Sequence, residues 1–308
     1  MLSKKQCRGK NKMGIKIDTI GLYPNKNKTV KTALELCRRA AEPCIKHSAY
    51  KKEDIGLVVS VSVYRDEYFC EPSFSSFVQN DLKINHDKID SLGAKTLSLD
   101  VLNGSLGFLN ACQLCAAMIT AGKVKTGLIV SSDLVNGNVS EKGDAPGFLP
   151  SGAAMLIAGV QNGGSGFKTF HFKTYADMQA ACESYMFHDV DHMTLIFKRD
   201  PAVEDIYLQA ISKGVMEFLK KENAKLDDFD MIVPSQISSA FIAKMARTLG
   251  VKKEKMIDVT REGGDLFNAS LPAAMDYIFK NKSPEPGQKA LIINVASGIQ
   301  VGCAVYEF

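Results

Sequence analysis

One succession of apolar and amphipathic segments occurs twice along this chain, and that repetition narrows the possible folds more than any other feature. In the first pass a helical pattern over Val30 to His47 leads into a strand-type run over Ile55 to Val63. Then follow a helix from Ser73 to Leu82, a strand at Thr96-Leu97-Ser98-Leu99, a helix from Phe108 to Ala121, and strands over Gly127 to Ser131 and Ala153 to Gly159. The second pass has a helix over Val203 to Lys221, a strand at Met231 to Val233, a helix over Ala240 to Gly250 and a short strand at Met256 to Val259. A helix over Ser270 to Lys280 and strands at Ala290 to Val295 and Val301 to Phe308 complete it. Local matches support a duplication: Asp54-Ile55-Gly56-Leu57-Val58-Val59 against Asp228-Phe229-Asp230-Met231-Ile232-Val233, and Leu128-Ile129-Val130 against Ile292-Ile293-Asn294. Strands and helices alternating at this spacing predict an α/β protein with parallel or mixed sheets covered by helices. With 308 residues, 45% of them apolar, the chain can bury a large core. The expected organisation is a basic, disordered tail over 1–13, one half over 14–162 and a second over 163–308. Gly163-Gly164-Ser165-Gly166 forms the flexible joint.

Charge and cysteine usage exclude several function classes. A net charge of +4 is small for this length and argues against nucleic acid or a membrane surface as partner. Lys4, Lys5, Arg8, Lys10 and Lys12 crowd the start, but no apolar segment follows them to make a signal peptide. The longest apolar stretch, Leu106 to Ile119, is interrupted by polar residues and is too short to span a bilayer. Eight cysteines, mostly within apolar or helical patterns, read as reduced thiols of a cytoplasmic protein. Cys112 and Cys115 form a C-x-x-C inside a helix with no second pair, which reads as packing. His188 and His192 lack the company a metal motif needs, so neither a metal nor any other cofactor is expected.

The segment from Asp100 to Phe108, Asp-Val-Leu-Asn-Gly-Ser-Leu-Gly-Phe, carries the chemistry. It puts Ser105 on a tight turn between a strand and a helix, where the helix N-terminus offers unpaired N–H groups and positive dipole. Such a turn activates a nucleophile and stabilises an oxyanion; equally, a serine there can simply cap the helix.

Asp100-Val101, Gly107-Phe108 and the small-residue helix behind them resemble the nucleophile turn of the β-ketoacyl-ACP synthase III family, with Ser105 at the cysteine position. Val233-Pro234-Ser235-Gln236 resembles that family's Val-Pro-His-Gln segment, with Ser235 at the histidine position. Gly264-Asp265-Leu266-Phe267 resembles its Gly-Asn-Thr-Ser segment, with Asp265 at the asparagine position. The resemblance runs from about Val30 to Phe308. It implies a thiolase-like five-layered sandwich of two duplicated halves, with Ser105, Ser235 and Asp265 converging on one cleft as the catalytic positions. It implies dimerisation through the strand near Leu128 to Ser131. Gly298 matches the glycine whose N–H completes the oxyanion hole with that of Ser105, although a turn between the last two strands would also explain it. Glu71 matches the region that gates the acyl tunnel from a partner subunit, and Phe108 follows the nucleophile turn; both are candidate substrate contacts.

All three catalytic positions are substituted, and the substitutions alter the expected chemistry. Ser105 can accept an acyl group but needs a base, which Ser235 cannot be and Asp265 can. An anionic Asp265 would repel a developing enolate, so decarboxylative condensation is not expected. The family's CoA-stacking tryptophan has no counterpart, since the chain contains no Trp, and Ala240 replaces an arginine. A carrier-protein thioester is therefore the expected acyl donor. The resemblance implies an acyltransferase of fatty-acid, polyketide-type or secondary metabolism with Ser105 as acyl acceptor. The alternative is a non-catalytic subunit paired with an active synthase III-like chain; the dimer would be homomeric in the first case and heteromeric in the second.

Overall fold

The computed structural model describes residues 13–27, 29–66, 71–86, 95–135, 138–139, 143–160, 164–189 and 192–308. Two sheets carry the fold. The first is built from β1 (Gly14–Pro24), β2 (Ile55–Ser60), β3 (Leu97–Asp100), β4 (Thr126–Asp133) and β6 (Ser151–Val160), in the order β1-β6-β4-β2-β3. The second is built from β7 (Gly166–Thr174), β10 (Met231–Pro234), β11 (Lys289–Ala296) and β12 (Gln300–Glu307), in the order β10-β11-β12-β7. The two orders superimpose when β1, β6, β4 and β2 are matched to β7, β12, β11 and β10, which is the duplication expected from the sequence. The repeat extends to small details. Ahead of β2 and β10, the Lys51 and Lys225 N–H groups donate to the Asp54 and Asp228 carboxylates at 2.9 and 2.7 Å.

Alternation along the strands stacks the layers. In β2, β4 and β11, Leu57, Val59, Ile129 and Ile292 face an inner core. That core also holds Phe108, Leu109 and Cys112 of α3 (Gly107–Thr120) and Leu271, Ala274 and Met275 of α7 (Ser270–Asn281). The intervening Val58, Leu128 and Val130 face outward onto α1 (Ala33–His47) and α2 (Phe74–Asp81). Leu291 and Ile293 likewise face α4 (Val203–Glu222) and α5 (Ser239–Leu249). The result is helix, sheet, central helix pair, sheet, helix: five layers, with both faces of each sheet covered as parallel pairing requires. Two of the outer helices, α1 and α5, start on side-chain caps. Thr32 Oγ accepts from Glu35 N–H at 3.2 Å, and Ser238 Oγ accepts from Phe241 N–H at 3.0 Å.

Several elements differ from the sequence reading. β1 and β7, together with a small sheet of β5 (Asn138–Val139), β8 (Cys182–Asp189) and β9 (His192–Arg199), were not expected. The strand expected at Met256 to Val259 reduces to an isolated bridge between Met256 and Ile232. There the Gln236 side chain takes over part of the ladder, donating to Ile257 O and accepting from Val259 N–H, both at 2.9 Å. The dimerisation strand also needs correction. β4 is hydrogen-bonded on both sides, to β2 and to β6, and has no edge with which to continue a sheet. The outer strands of that sheet are β1, which packs against β7, and β3, whose Leu97 is 49% exposed. Residues 1–12 and Gly163, which carry the tail and part of the joint, lie outside the described residues.

Candidate functional site

A cavity of about 780 Å3 opens between the two halves, and Ser105, Ser235, Asp265 and Gly298 all line it. The first of these is set by a turn between β3 and α3. Val101 N–H extends the parallel pairing by donating to Ser60 O at 2.8 Å, and Gly104 then reverses the chain at φ +49°. Leu106, without a side-chain cap bond, is the N-cap of α3, so Ser105 does not serve as the capping serine. Its Oγ instead donates to the Val295 carbonyl at 2.8 Å. Ser235, 4% exposed at the end of β10, accepts from Val295 N–H at 2.8 Å. One peptide residue of β11 thus holds both serines, one from each half. Gly298 sits in the tight loop between β11 and β12, where Ala296 pairs with Gln300, and its φ of +91° explains the glycine. The turn role and the cavity position belong to the same residue.

Asp265 lies on the turn that enters α7. Its Oδ1 accepts from Phe267 N–H at 2.7 Å and from Ser270 Oγ at 3.2 Å. Burial pushes its pKa up to about 7, against the opposing pull of those two hydrogen bonds and of the Arg199 charge. Near neutrality this carboxyl is therefore poised to exchange a proton. Three residues on, Asn268 is fully buried and ties the turn to the first half. Its Nδ2 donates to Val61 O and to Asp133 Oδ2, both at 3.0 Å. Asp133 Oδ1 also accepts from Val63 and Tyr64 N–H at 2.8 and 3.0 Å. Burial raises the pKa of Asp133 to about 6. A Cβ placed on Gly107 would lie 3.4 Å from Asn268 Oδ1, so this turn packs directly against the start of the Ser105 helix.

One expected substrate contact lies elsewhere. Phe108 is fully buried in the inner core and does not line the cavity, so its ring packs the central helices rather than touching substrate. Glu71, expected to act on the tunnel of a partner subunit, is exposed ahead of α2 and lies outside the wall of this chain's own cavity. Sequence reasoning missed Tyr207, Cys182, Ser297 and Arg199, which all line the cavity. Burial lifts the Tyr207 hydroxyl to about 12, while its bond to Ser297 pulls the other way. Tyr207 falls within the helical pattern of α4, where spacing alone reads it as packing. It also missed a cluster of four rings on the cavity wall: Tyr64, Phe148, Phe197 and Phe267. Of these, Phe267 carried a signal, because it stands at the serine of the Gly-Asn-Thr-Ser segment that its surroundings resemble.

Residues 219–308 match the family model of the 3-oxoacyl-[acyl-carrier-protein] synthase III C terminal. A β-ketoacyl-[acyl-carrier-protein] synthase III of Clostridium perfringens is 23% identical over 288 residues, covering 89% of this chain and 84% of that protein. The fold matches FabH of Xanthomonas oryzae pv. oryzae at a TM-score of 0.74 and 17% identity, over 96% of this chain and all (100%) of the other. It also matches an OleA variant of Xanthomonas campestris solved with bound lauric acid and lauroyl-CoA. That similarity has a TM-score of 0.76 and 16% identity, covering 96% of this chain and 99% of the other.

Proposed function

Because the chain is a 3-oxoacyl-ACP synthase III-like protein of the thiolase fold, we propose that it is an acyltransferase acting on acyl thioesters, with Ser105 as the acyl acceptor. The observation that carries this reading is the convergence of Ser105, Ser235, Asp265 and Gly298 on one cavity. In the first step Ser105 Oγ attacks the thioester carbonyl. Its proton passes to Asp265 and then to the departing thiolate, leaving an acyl-serine and a free thiol. The Ser105 and Gly298 N–H groups and the start of α3 receive the oxyanion, and the Ser235–Val295–Ser105 chain of hydrogen bonds holds the nucleophile. A hydroxyl or amine acceptor then takes the acyl group and regenerates Ser105. Whenever Asp265 is ionised it opposes build-up of an enolate, so this site favours transfer over decarboxylative condensation.

A carrier-protein thioester suits the site better than free CoA, because the chain has no tryptophan for an adenine to stack on. Among the described residues no helix is long and apolar enough to cross a membrane, and a cytoplasmic setting fits a carrier-protein donor. Pairing of two copies through the exposed edge of β3 fits the sheet order.

The test is intact-protein mass spectrometry after incubation with a panel of acyl-carrier proteins. A single acyl adduct that is lost in Ser105→Ala is expected, and Ser105→Cys with Ser235→His should increase its yield, since a thiolate–imidazolium pair forms where two hydroxyls cannot. Absence of any adduct, together with unchanged activity of a complex reconstituted with Ser105→Ala, would reassign the chain as the non-catalytic subunit of a heteromeric enzyme.

A further inference from the structure

The four rings on the cavity wall form one stack. Tyr64 and Phe148 lie 5.2 Å apart between centroids and Phe148 and Phe267 5.0 Å, both stacked; Phe267 and Phe197 tilt against Tyr64 at 5.5 and 5.4 Å. Leu195, Val63 and Val135 back them. Three loops and β9 supply the rings, and the Tyr64 hydroxyl is fixed to Ser184 Oγ at 2.9 Å. Phe267 stands two residues along the chain from Asp265, and its backbone sits at φ +52°. A bulky residue in the left-handed region is sterically strained and persists only where its surroundings enforce it. Here they do. Phe267 N–H is held by Asp265, Leu266 N–H donates to Ser270 Oγ at 3.1 Å, Ser151 Oγ donates to Leu266 O at 3.1 Å, and Asn268 anchors the other end.

We infer that Phe267 is a specificity-determining residue: its ring, clamped into the aromatic stack beside Asp265, occupies the space an extended acyl chain would need and restricts the cavity to compact acyl groups. This rests on the acyl-thioester reading of the same cavity. The strained turn gives the wall its selectivity. A relaxed Phe267 could swing aside, whereas a ring whose main chain is tied on both sides can yield to a longer chain only by breaking the tethers. Overpacking of this kind is opposed strongly enough for about tenfold discrimination or more.

Two measurements separate this inference from the reading beneath it. Acylation of the full chain by N-acetylcysteamine thioesters, from acetyl through butyryl and octanoyl to lauroyl, is followed by intact mass, and binding of laurate is followed by calorimetry. The wild type should form the acetyl to butyryl adducts at least about tenfold faster than the octanoyl or lauroyl adducts. Phe267→Gly, which opens the wall and suits the left-handed backbone, should erase that preference. Phe148→Ala removes the adjoining ring without touching the turn and should do the same if Phe267→Gly does not fold. A wild type that takes lauroyl as readily as acetyl, or variants with an unchanged chain-length profile, would overturn the inference. If no thioester acylates any of the proteins, the acyltransferase reading fails and laurate decides the wall. Binding to the variants but not to the wild type supports it; equal binding, or none, in all of them overturns it.

Discussion

The two turns that enter the central helices occupy equivalent places in the duplicated halves, and each contains a residue in the left-handed region. Before α3 it is Gly104 at φ +49°, and before α7 it is Phe267 at φ +52°. The first turn meets its backbone requirement with a residue that incurs no steric cost, and it leaves Ser105 with a single bond to Val295. The second turn meets the same requirement against sterics, and a network that includes Asp265, Ser270, Asn268 and Asp133 surrounds it. One backbone geometry, duplicated, thus serves two purposes. In the first half it exposes a hydroxyl, and in the second it wedges a ring against the cavity and buries a carboxyl.

The sharpest way to break this contrast is to release the second turn from the first half. Asn268→Ala leaves Val61 O and the buried Asp133 carboxylate short of a donor, and should cost about 3 kcal/mol in urea unfolding. A cost below about 1 kcal/mol would show that the turn stands without that link.

Next in size is a pH-dependent effect. The Asp265 pKa, about 7 in the fold, lies above its ordinary 3.8, so the folded state binds the extra proton between those values. Its contribution to stability is complete below about 4 and is lost as the pH rises to about 7. Asp265→Asn keeps the oxygen that accepts from Phe267 and Ser270 but cannot ionise. Thermal unfolding should show the variant gaining roughly 3 kcal/mol on the wild type between pH 4.5 and pH 7.5. Asp133, whose pKa burial raises to about 6, contributes to the slope that remains. Parallel curves for the two proteins would disprove the buried-carboxyl account.

The serines should differ from one another. Ser235→Ala strands the buried Val295 N–H and is expected to cost about 2 kcal/mol. Ser105→Ala removes a donor from a carbonyl beside the cavity, which water can reach, and is expected to cost about 1 kcal/mol or less in the same chemical denaturation. The smallest effect isolates backbone strain. Phe267→Gly should be more stable than Phe267→Ala by about 1 kcal/mol, and Gly104→Ala should lose a similar amount, because both positions need a positive φ. If alanine were the better residue at 267, strain could not be what holds the ring.

The sequence by itself determined the duplicated α/β plan, because the period of apolar residues in β2, β4, β11 and the central helices is a local property that survives without coordinates. It also located Ser105, Ser235, Asp265 and Gly298, whose flanking glycines, Val-Pro pair and turn residues are readable in short windows. The tertiary structure decided what those windows cannot hold. β4 is interior and β3 is an edge because sheet order depends on which distant strands pair. Phe108 is core because its place on α3 turns it into the layer between the two sheets rather than toward the cavity. Gln236 replaces a strand ladder, and Val295 joins the two serines, across separations of 21 and 190 residues in the first case and the longer arm of the second. The aromatic wall combines residues from positions 64 to 267 whose proximity no local pattern encodes. Burial, and with it the raised pKa of Asp265, likewise appears only when two halves close over a carboxyl that the sequence shows as an ordinary turn aspartate.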